Sequence, residues 1–123
     1  MKTLRDVPVR TVPVVEPQTA LDEAVRLMRE SPVHTVALVD DEEYMGLFTP
    51  DALESDLIPR GADLSLLPIG PYVHPARVVG RPDLPVEEAL ALMVRKGLDV
   101  IPVVDNNTFR GVVTREDLEK ALA

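Results

Sequence analysis

The chain has 123 residues, of which 46% are hydrophobic but only 3% are aromatic, so a core of single-domain size must be built from aliphatic side chains. A formal net charge of -8 disfavours nonspecific binding to nucleic acid or to anionic membranes, and the absence of cysteine excludes disulfides and thiolate metal sites. Since no apolar run approaches the roughly 20 residues of a membrane span, we expect a cytoplasmic protein.

The first half of the chain predicts a strand, a helix, two strands and a second helix. After a valine-rich stretch, apolar residues at the spacing i, i+3, i+4 and i+7 indicate a helix with one buried face, and Thr19 with Asp22 predicts a capping box at its start. Residues 36–39 and 44–48 predict two strands joined by an acidic turn. A closing helix is expected after Thr49.

The second half repeats this order at a fixed offset. Residues 14–53 align with residues 79–118 without a gap, and eleven of the forty aligned positions are identical. Gly97 follows two basic residues and predicts the end of the second long helix. Residues 100–104 are largely β-branched and predict a central strand.

The repeat defines the expected architecture. We predict an α/β (α+β) fold of two pseudo-twofold repeats, in residues 1–58 and 73–123, joined by a connector at 59–72. One repeat alone would expose one face of its three-stranded sheet, so we expect the two to form one compact module.

The second copy contains the most specific motif. Residues 101–105 read Ile-Pro-Val-Val-Asp, and residues 111–117 read Gly-Val-Val-Thr-Arg-Glu-Asp. This stretch resembles the signature of CBS domains, named after cystathionine beta-synthase, and the resemblance to a tandem CBS pair covers nearly the whole chain. It implies a non-catalytic regulatory homodimer that binds AMP, ADP, ATP or S-adenosylmethionine, needs no obligatory cofactor and controls a protein that the sequence does not identify.

The resemblance also implies two ligand clefts between the repeats. A carboxylate at a helix start can accept hydrogen bonds from ribose hydroxyls, while helix N–H groups and arginine attract phosphate. In the complete cleft, Thr114 and Asp117 would bind ribose and Arg115 is the candidate for phosphate. The residues that would surround the adenine are Pro8, Pro13, Val33, His34 and Thr35.

The other cleft departs from the family pattern. Its lining residues would be Thr49, Val73, Val78, Leu98, Asp99 and Val100. Ala52 stands where Asp117 stands in the second copy, and Asp51 is one residue early, which turns a helical side chain by about 100°. Asp99 would also repel a phosphate. We therefore predict one competent site and one that is weakened or vacant.

Two interpretations of the second-copy motif stay open. Thr114 and Asp117 also match a capping box, and capping and ribose binding are compatible if they belong to the free and bound states. The alternative function is a ligand-independent dimerisation or protein-interaction module whose clefts are vestigial.

Metal binding and catalysis are disfavoured. His34 and His74 have no partners at ligand spacing, so no metal site is predicted. The sequence offers no nucleophile beside a base and no glycine-rich phosphate loop, so we do not expect an enzyme.

Overall fold

The computed structural model describes residues 1–53, 58–73 and 78–123, apart from the side chain of Leu53. It divides into two compact units. One combines Met1–Thr11 with Ala76–Ala123, and the other comprises Val12–Pro75. The first eleven residues therefore fold with the second copy of the repeat. The predicted division at 1–58, 59–72 and 73–123 follows the repeat along the sequence and stays a prediction.

The Val12–Pro75 unit contains the elements of the first copy. They are β1 (Val14–Val15), α1 (Leu21–Glu30), β2 (Val36–Asp40), β3 (Glu43–Phe48) and α2 (Pro50–Leu53). The sheet has the order β1-β2-β3, in which β1 is parallel and β3 antiparallel to β2. Its core is built from fully buried side chains, which include Leu21, Ala24, Val36, Phe48 and Ile69.

The unit that contains the second copy has the same order of long elements. They are α3 (Val86–Lys96), β4 (Val100–Asp105), β5 (Thr108–Thr114) and α4 (Arg115–Leu122). Strands β4 and β5 form an antiparallel pair. Single bridges extend this pair on both sides, since Gly80 pairs in parallel with Val103 on β4 and Arg10 pairs antiparallel with Val112 on β5. The buried core includes Leu4, Val86, Met93, Ile101 and Leu118.

The predicted mixed α/β class is confirmed, with a three-stranded sheet in the first copy. In the second copy the third strand is reduced to the single bridge of Gly80. The predicted end of the second long helix is also confirmed, because Gly97 terminates α3 in a left-handed conformation with φ of 67°.

The capping box predicted from Thr19 and Asp22 is wrong. The residue before α1 is Ala20, which makes no side-chain capping hydrogen bond, and the carboxylate of Asp22 accepts from the backbone N–H of Glu23 at 2.8 Å. The backbone N–H of Leu21 instead donates to the carbonyl oxygen of Leu67 at 2.8 Å, while the carbonyl of Thr19 accepts from Ile69 at 2.8 Å. Backbone groups of the connector thus satisfy the helix start, and this long-range pairing is not encoded in the local pattern.

Both hairpins have two-residue loops with left-handed backbone at both positions. The loop residues are Asp41 and Glu42 between β2 and β3, and Asn106 and Asn107 between β4 and β5. Two consecutive positive φ angles are typical of a type I′ turn, which matches the twist of the flanking strands. The repeat therefore preserves the turn geometry although it does not preserve the turn residues.

Candidate functional site

The start of α4 holds the predicted ribose-binding pair in a closed capping box. Thr114 ends β5 and precedes the first residue of the helix with extended backbone, at φ of -98° and ψ of 160°. Its Oγ1 accepts a hydrogen bond from the backbone N–H of Asp117 at 3.1 Å, and Oδ2 of Asp117 accepts from the backbone N–H of Thr114 at 3.0 Å. The capping interpretation is confirmed, and ribose binding stays a prediction.

A third residue, Arg10, closes the site from the N-terminal segment. Its Nε donates to Oδ2 of Asp117 and its terminal Nη2 donates to Oδ1, both at 2.8 Å. This is the two-pronged geometry in which a planar guanidinium best matches a carboxylate. Both carboxylate oxygens of Asp117 therefore already accept hydrogen bonds from this unit.

The position of Arg10 is fixed by its backbone. Its N–H donates to the carbonyl of Val112 at 2.7 Å and its carbonyl accepts from the N–H of Val112 at 3.0 Å, so this residue pairs with β5 two residues before Thr114. The neighbouring Gly111 makes room for the crossing. A Cβ at Gly111 would lie 2.8 Å from the carbonyl oxygen of Arg10 and 3.0 Å from Cβ of Val9.

The Arg10 pair stabilises the ionised form of Asp117. The hydrogen bond from Arg10 is the largest of the effects that lower the pKa of Asp117 from 3.8 to about 2, and the hydrogen bonds with Thr114 act in the same direction. The carboxylate in turn raises the pKa of Arg10. The side chain of Asp117 is only 16% exposed, whereas that of Arg10 is 43% exposed, so the guanidinium is the accessible member of the pair.

Arg115, the predicted phosphate ligand, faces along its own helix. Its Nε lies 3.6 Å from a carboxylate oxygen of Glu119, one turn later, and its side chain is 38% exposed. Its backbone N–H donates to the carbonyl of Asp99 at 3.0 Å and so contributes to the helix start. Pro8 is exposed in the same unit.

Four residues predicted around the adenine belong to the Val12–Pro75 unit. The carbonyl of Pro13 accepts from Ala37, and Val33, His34 and Thr35 form the turn between α1 and β2. His34 is exposed with φ of 49°, while Thr35 is fully buried and its hydroxyl donates to the carbonyl of Val33 at 2.9 Å. This turn is a defined structural feature of its unit.

The residues predicted for the weaker cleft are divided between the two units. Thr49 and Val73 lie in the Val12–Pro75 unit, whereas Val78, Leu98 and Val100 lie in the other, where Val100 is the strand partner of Thr114. Ala52 packs against the apolar core of its unit, and its backbone N–H donates to the carbonyl of Thr49 at 2.9 Å. No carboxylate therefore occupies the position equivalent to Asp117.

Sequence reasoning missed Arg10, because this residue precedes the stretch in which the two copies align. The sequence does contain one signal, Gly111, because a glycine inside a strand often marks the close approach of another segment. The chain segment responsible could not be identified from the local pattern. His74 lies outside the described residues, and within the described part of the chain no three His, Cys, Asp or Glu side chains form a group suited to a metal ion.

A family model described as CBS domain matches the chain twice, over residues 4–55 and 77–123. The chain belongs to the CBS domain family. Among residues 1–53, 58–73 and 78–123 of this CBS pair, no helix has the length and apolar character to cross a membrane. The CBS domain-containing protein YhcV of Bacillus subtilis is 26% identical over 118 residues, which cover 96% of this chain and 84% of that protein.

Two similar solved structures were determined with nucleotides. The structure of CBSX2 in complex with AMP has a TM-score of 0.82 and 25% identity, and the match covers 99% of this chain and 96% of that chain. The cytosolic domain of the Mg²⁺ channel MgtE in complex with ATP has a TM-score of 0.72 and 23% identity, over 89% of this chain and 44% of that chain. The second likeness shows the fold alone.

Proposed function

We propose that this CBS pair is a non-catalytic regulatory module that binds an adenine nucleotide or an adenosyl compound. The observation that carries the proposal is the ionised carboxylate of Asp117 at the start of α4, held beside the hydroxyl of Thr114. An ionised carboxylate accepts hydrogen bonds from two hydroxyls at once, which suits the 2′ and 3′ hydroxyls of ribose. The complex of CBSX2 with AMP supports this class of ligand.

The proposed roles follow the chemistry of the side chains. We assign the ribose to Asp117 and Thr114, and the phosphate to Arg115 and the N–H groups of the first turn of α4. Pro8 is proposed to contact the adenine, and the same role stays predicted for Pro13, Val33, His34 and Thr35. The second predicted set comprises Thr49, Val73, Val78, Leu98 and Val100. We propose that these residues bind an adenine ligand more weakly or not at all, because Ala52 supplies no carboxylate for the ribose.

Thermal unfolding in the presence of AMP, ADP, ATP or S-adenosylmethionine tests the proposal. A ligand at a hundred times its dissociation constant adds about 2.7 kcal/mol to the free energy of unfolding, so at least one of these compounds should raise Tm. Asp117→Asn should remove this rise. Asp51→Asn is the matched control, because it makes the same chemical change on the equivalent helix and should keep the rise. If none of the four compounds raises Tm at millimolar concentration, the proposal is wrong.

The alternative is a ligand-independent dimerisation or protein-interaction module. It is favoured by the fact that Asp117 already accepts hydrogen bonds from Arg10 and Thr114. Nucleotide binding together with light scattering, measured on the wild type and on the Asp117→Asn variant, separates the two functions. Regulation predicts that nucleotide binding is lost while the assembly state is kept, whereas the alternative predicts no nucleotide binding in either protein.

We propose that the module is a cytoplasmic homodimer and that it controls a separate, unidentified protein.

A further inference from the structure

The guanidinium of Arg10 occupies the two oxygens that the proposed function assigns to ribose. The bonds from Nε to Oδ2 and from Nη2 to Oδ1 are both 2.8 Å, and Oδ2 additionally accepts from the backbone of Thr114. A carboxylate has about four acceptor positions, whereas two ribose hydroxyls, a bidentate arginine and the N–H of Thr114 would together need about five, so the ribose and Arg10 compete for the same oxygens. Ribose binding therefore requires Arg10 to give up at least one of its hydrogen bonds.

The backbone of Arg10 does not have to move when the guanidinium leaves Asp117. It is paired with Val112 through two hydrogen bonds of 2.7 and 3.0 Å. A released guanidinium thus stays within one side-chain length of the start of α4. Because the side chain is already 43% exposed, it can rotate towards solvent without disturbing the core.

The released guanidinium attracts a new anion, and the other carboxylates of α4 are already paired. Glu116 lies 3.1 Å from Nζ of Lys120, and Glu119 lies 3.6 Å from Nε of Arg115. These exposed pairs contribute little to stability, but each reduces the attraction that its carboxylate offers to a second cation. A phosphate carries more charge than a carboxylate and forms charge-assisted, bidentate hydrogen bonds with arginine.

We propose, resting on the proposed function, that Arg10 blocks Asp117 in the free protein and thereby selects adenine ligands that carry a 5′ phosphate over uncharged adenosine and cationic S-adenosylmethionine. With a phosphorylated ligand, the guanidinium exchanges one anion for another. With adenosine it loses its partner, and with S-adenosylmethionine it meets a sulfonium cation at the 5′ position, where a nucleotide carries its phosphate. The same residue is thus a competitor for ribose and a selector for phosphate.

Titration calorimetry with adenosine, AMP and S-adenosylmethionine tests this inference on the wild-type chain and on Arg10→Met. The variant removes the competitor and the phosphate partner together. Adenosine and S-adenosylmethionine should therefore bind more tightly than to wild type, and the ratio of AMP affinity to adenosine affinity should fall at least tenfold. Arg5→Met, an exposed arginine of the same segment, is the matched control and should leave this ratio unchanged.

Arg10→Lys separates the two roles and guards against misfolding of the methionine variant. Lysine keeps the charge but lacks the two-pronged geometry, so adenosine binding should improve while most of the preference for AMP is kept. The Nε–H resonance of Arg10 in the wild-type NMR spectrum should shift on addition of AMP, as the guanidinium leaves Asp117. An unchanged affinity ratio in Arg10→Met, or weaker adenosine binding, overturns this inference alone. Absence of binding by wild type and both variants overturns the proposed function as well.

Discussion

The two copies place the same threonine between a strand and a helix, and they differ three residues later. In the second copy, Thr114 is followed by Asp117, which closes a capping box and binds Arg10. In the first copy, Thr49 is followed by Ala52, which packs against an apolar core. One copy therefore has a carboxylate paired with an arginine three residues after its threonine, and the other has an alanine at that position.

This difference shows how a duplication becomes specialised without loss of its fold. The two hairpin strands and the long helix are kept in both copies, and each contributes to a buried core. The helix start after the threonine contributes less to either core, so its residues could diverge. The N-terminal segment supplies Arg10 to the second copy. The predictions that follow test this asymmetry, from the largest expected effect to the smallest.

Gly111→Ala should destabilise the protein by about 2 kcal/mol or more, since the new Cβ would meet the backbone of Arg10 and φ is 145°. Urea denaturation measures the loss. Gly97→Ala is the matched control, because Gly97 also has a positive φ but no atom within 4 Å of the added Cβ. It should cost only the left-handed strain of about 1 kcal/mol. Equal losses would mean that the Arg10 segment yields to the added methyl group.

The Arg10 pair should also make stability depend on pH in the acid range. The pKa of Asp117 is lowered from 3.8 to about 2 in the folded state, so the ionised form is favoured by folding. The pair contributes fully above pH 3.8, and its contribution is lost as the pH falls towards 2. Urea denaturation between pH 2 and 6 should show that the difference in the free energy of unfolding between wild type and Arg10→Met shrinks as the pH falls from 3.8 towards 2. A difference that is constant over the whole range would contradict the assigned pair.

Removal of the two threonine side chains should have unequal effects. Thr114→Ala breaks a two-sided capping box and should lower the free energy of unfolding by about 1 kcal/mol. Thr49→Ala should cost less, because Ala52 has no side-chain oxygen that could return a hydrogen bond to the helix start. Thermal unfolding of the two variants beside the wild type measures both losses. Equal losses would show that Thr49 has a capping role of its own.

The features that the sequence predicted well are those with a repeating local pattern. The sequence predicted the helices α1 and α3, the two hairpins and the helix end at Gly97 correctly, because neighbouring residues determine these features. The failures were long-range. The first N–H of α1, that of Leu21, donates to the carbonyl of Leu67, and Asp117 accepts from Arg10, which lies 107 residues away. Neither partner shares a local pattern with the residue that it contacts.

Exchanging residue types between the two hairpin loops should have the smallest effect on stability. It tests whether equivalent loop positions of the two copies have the same backbone requirement. Asp41 and Glu42 adopt the same left-handed backbone as Asn106 and Asn107, but asparagine tolerates this conformation better than glutamate does. Glu42→Asn should therefore stabilise the protein, by a fraction of the ~1–2 kcal/mol that left-handed backbone costs an ordinary residue. Asn107→Glu should destabilise it by a similar amount. Chemical denaturation measures the free energy of unfolding of both variants. If the two substitutions change it in the same direction, the two turns are not conformationally equivalent.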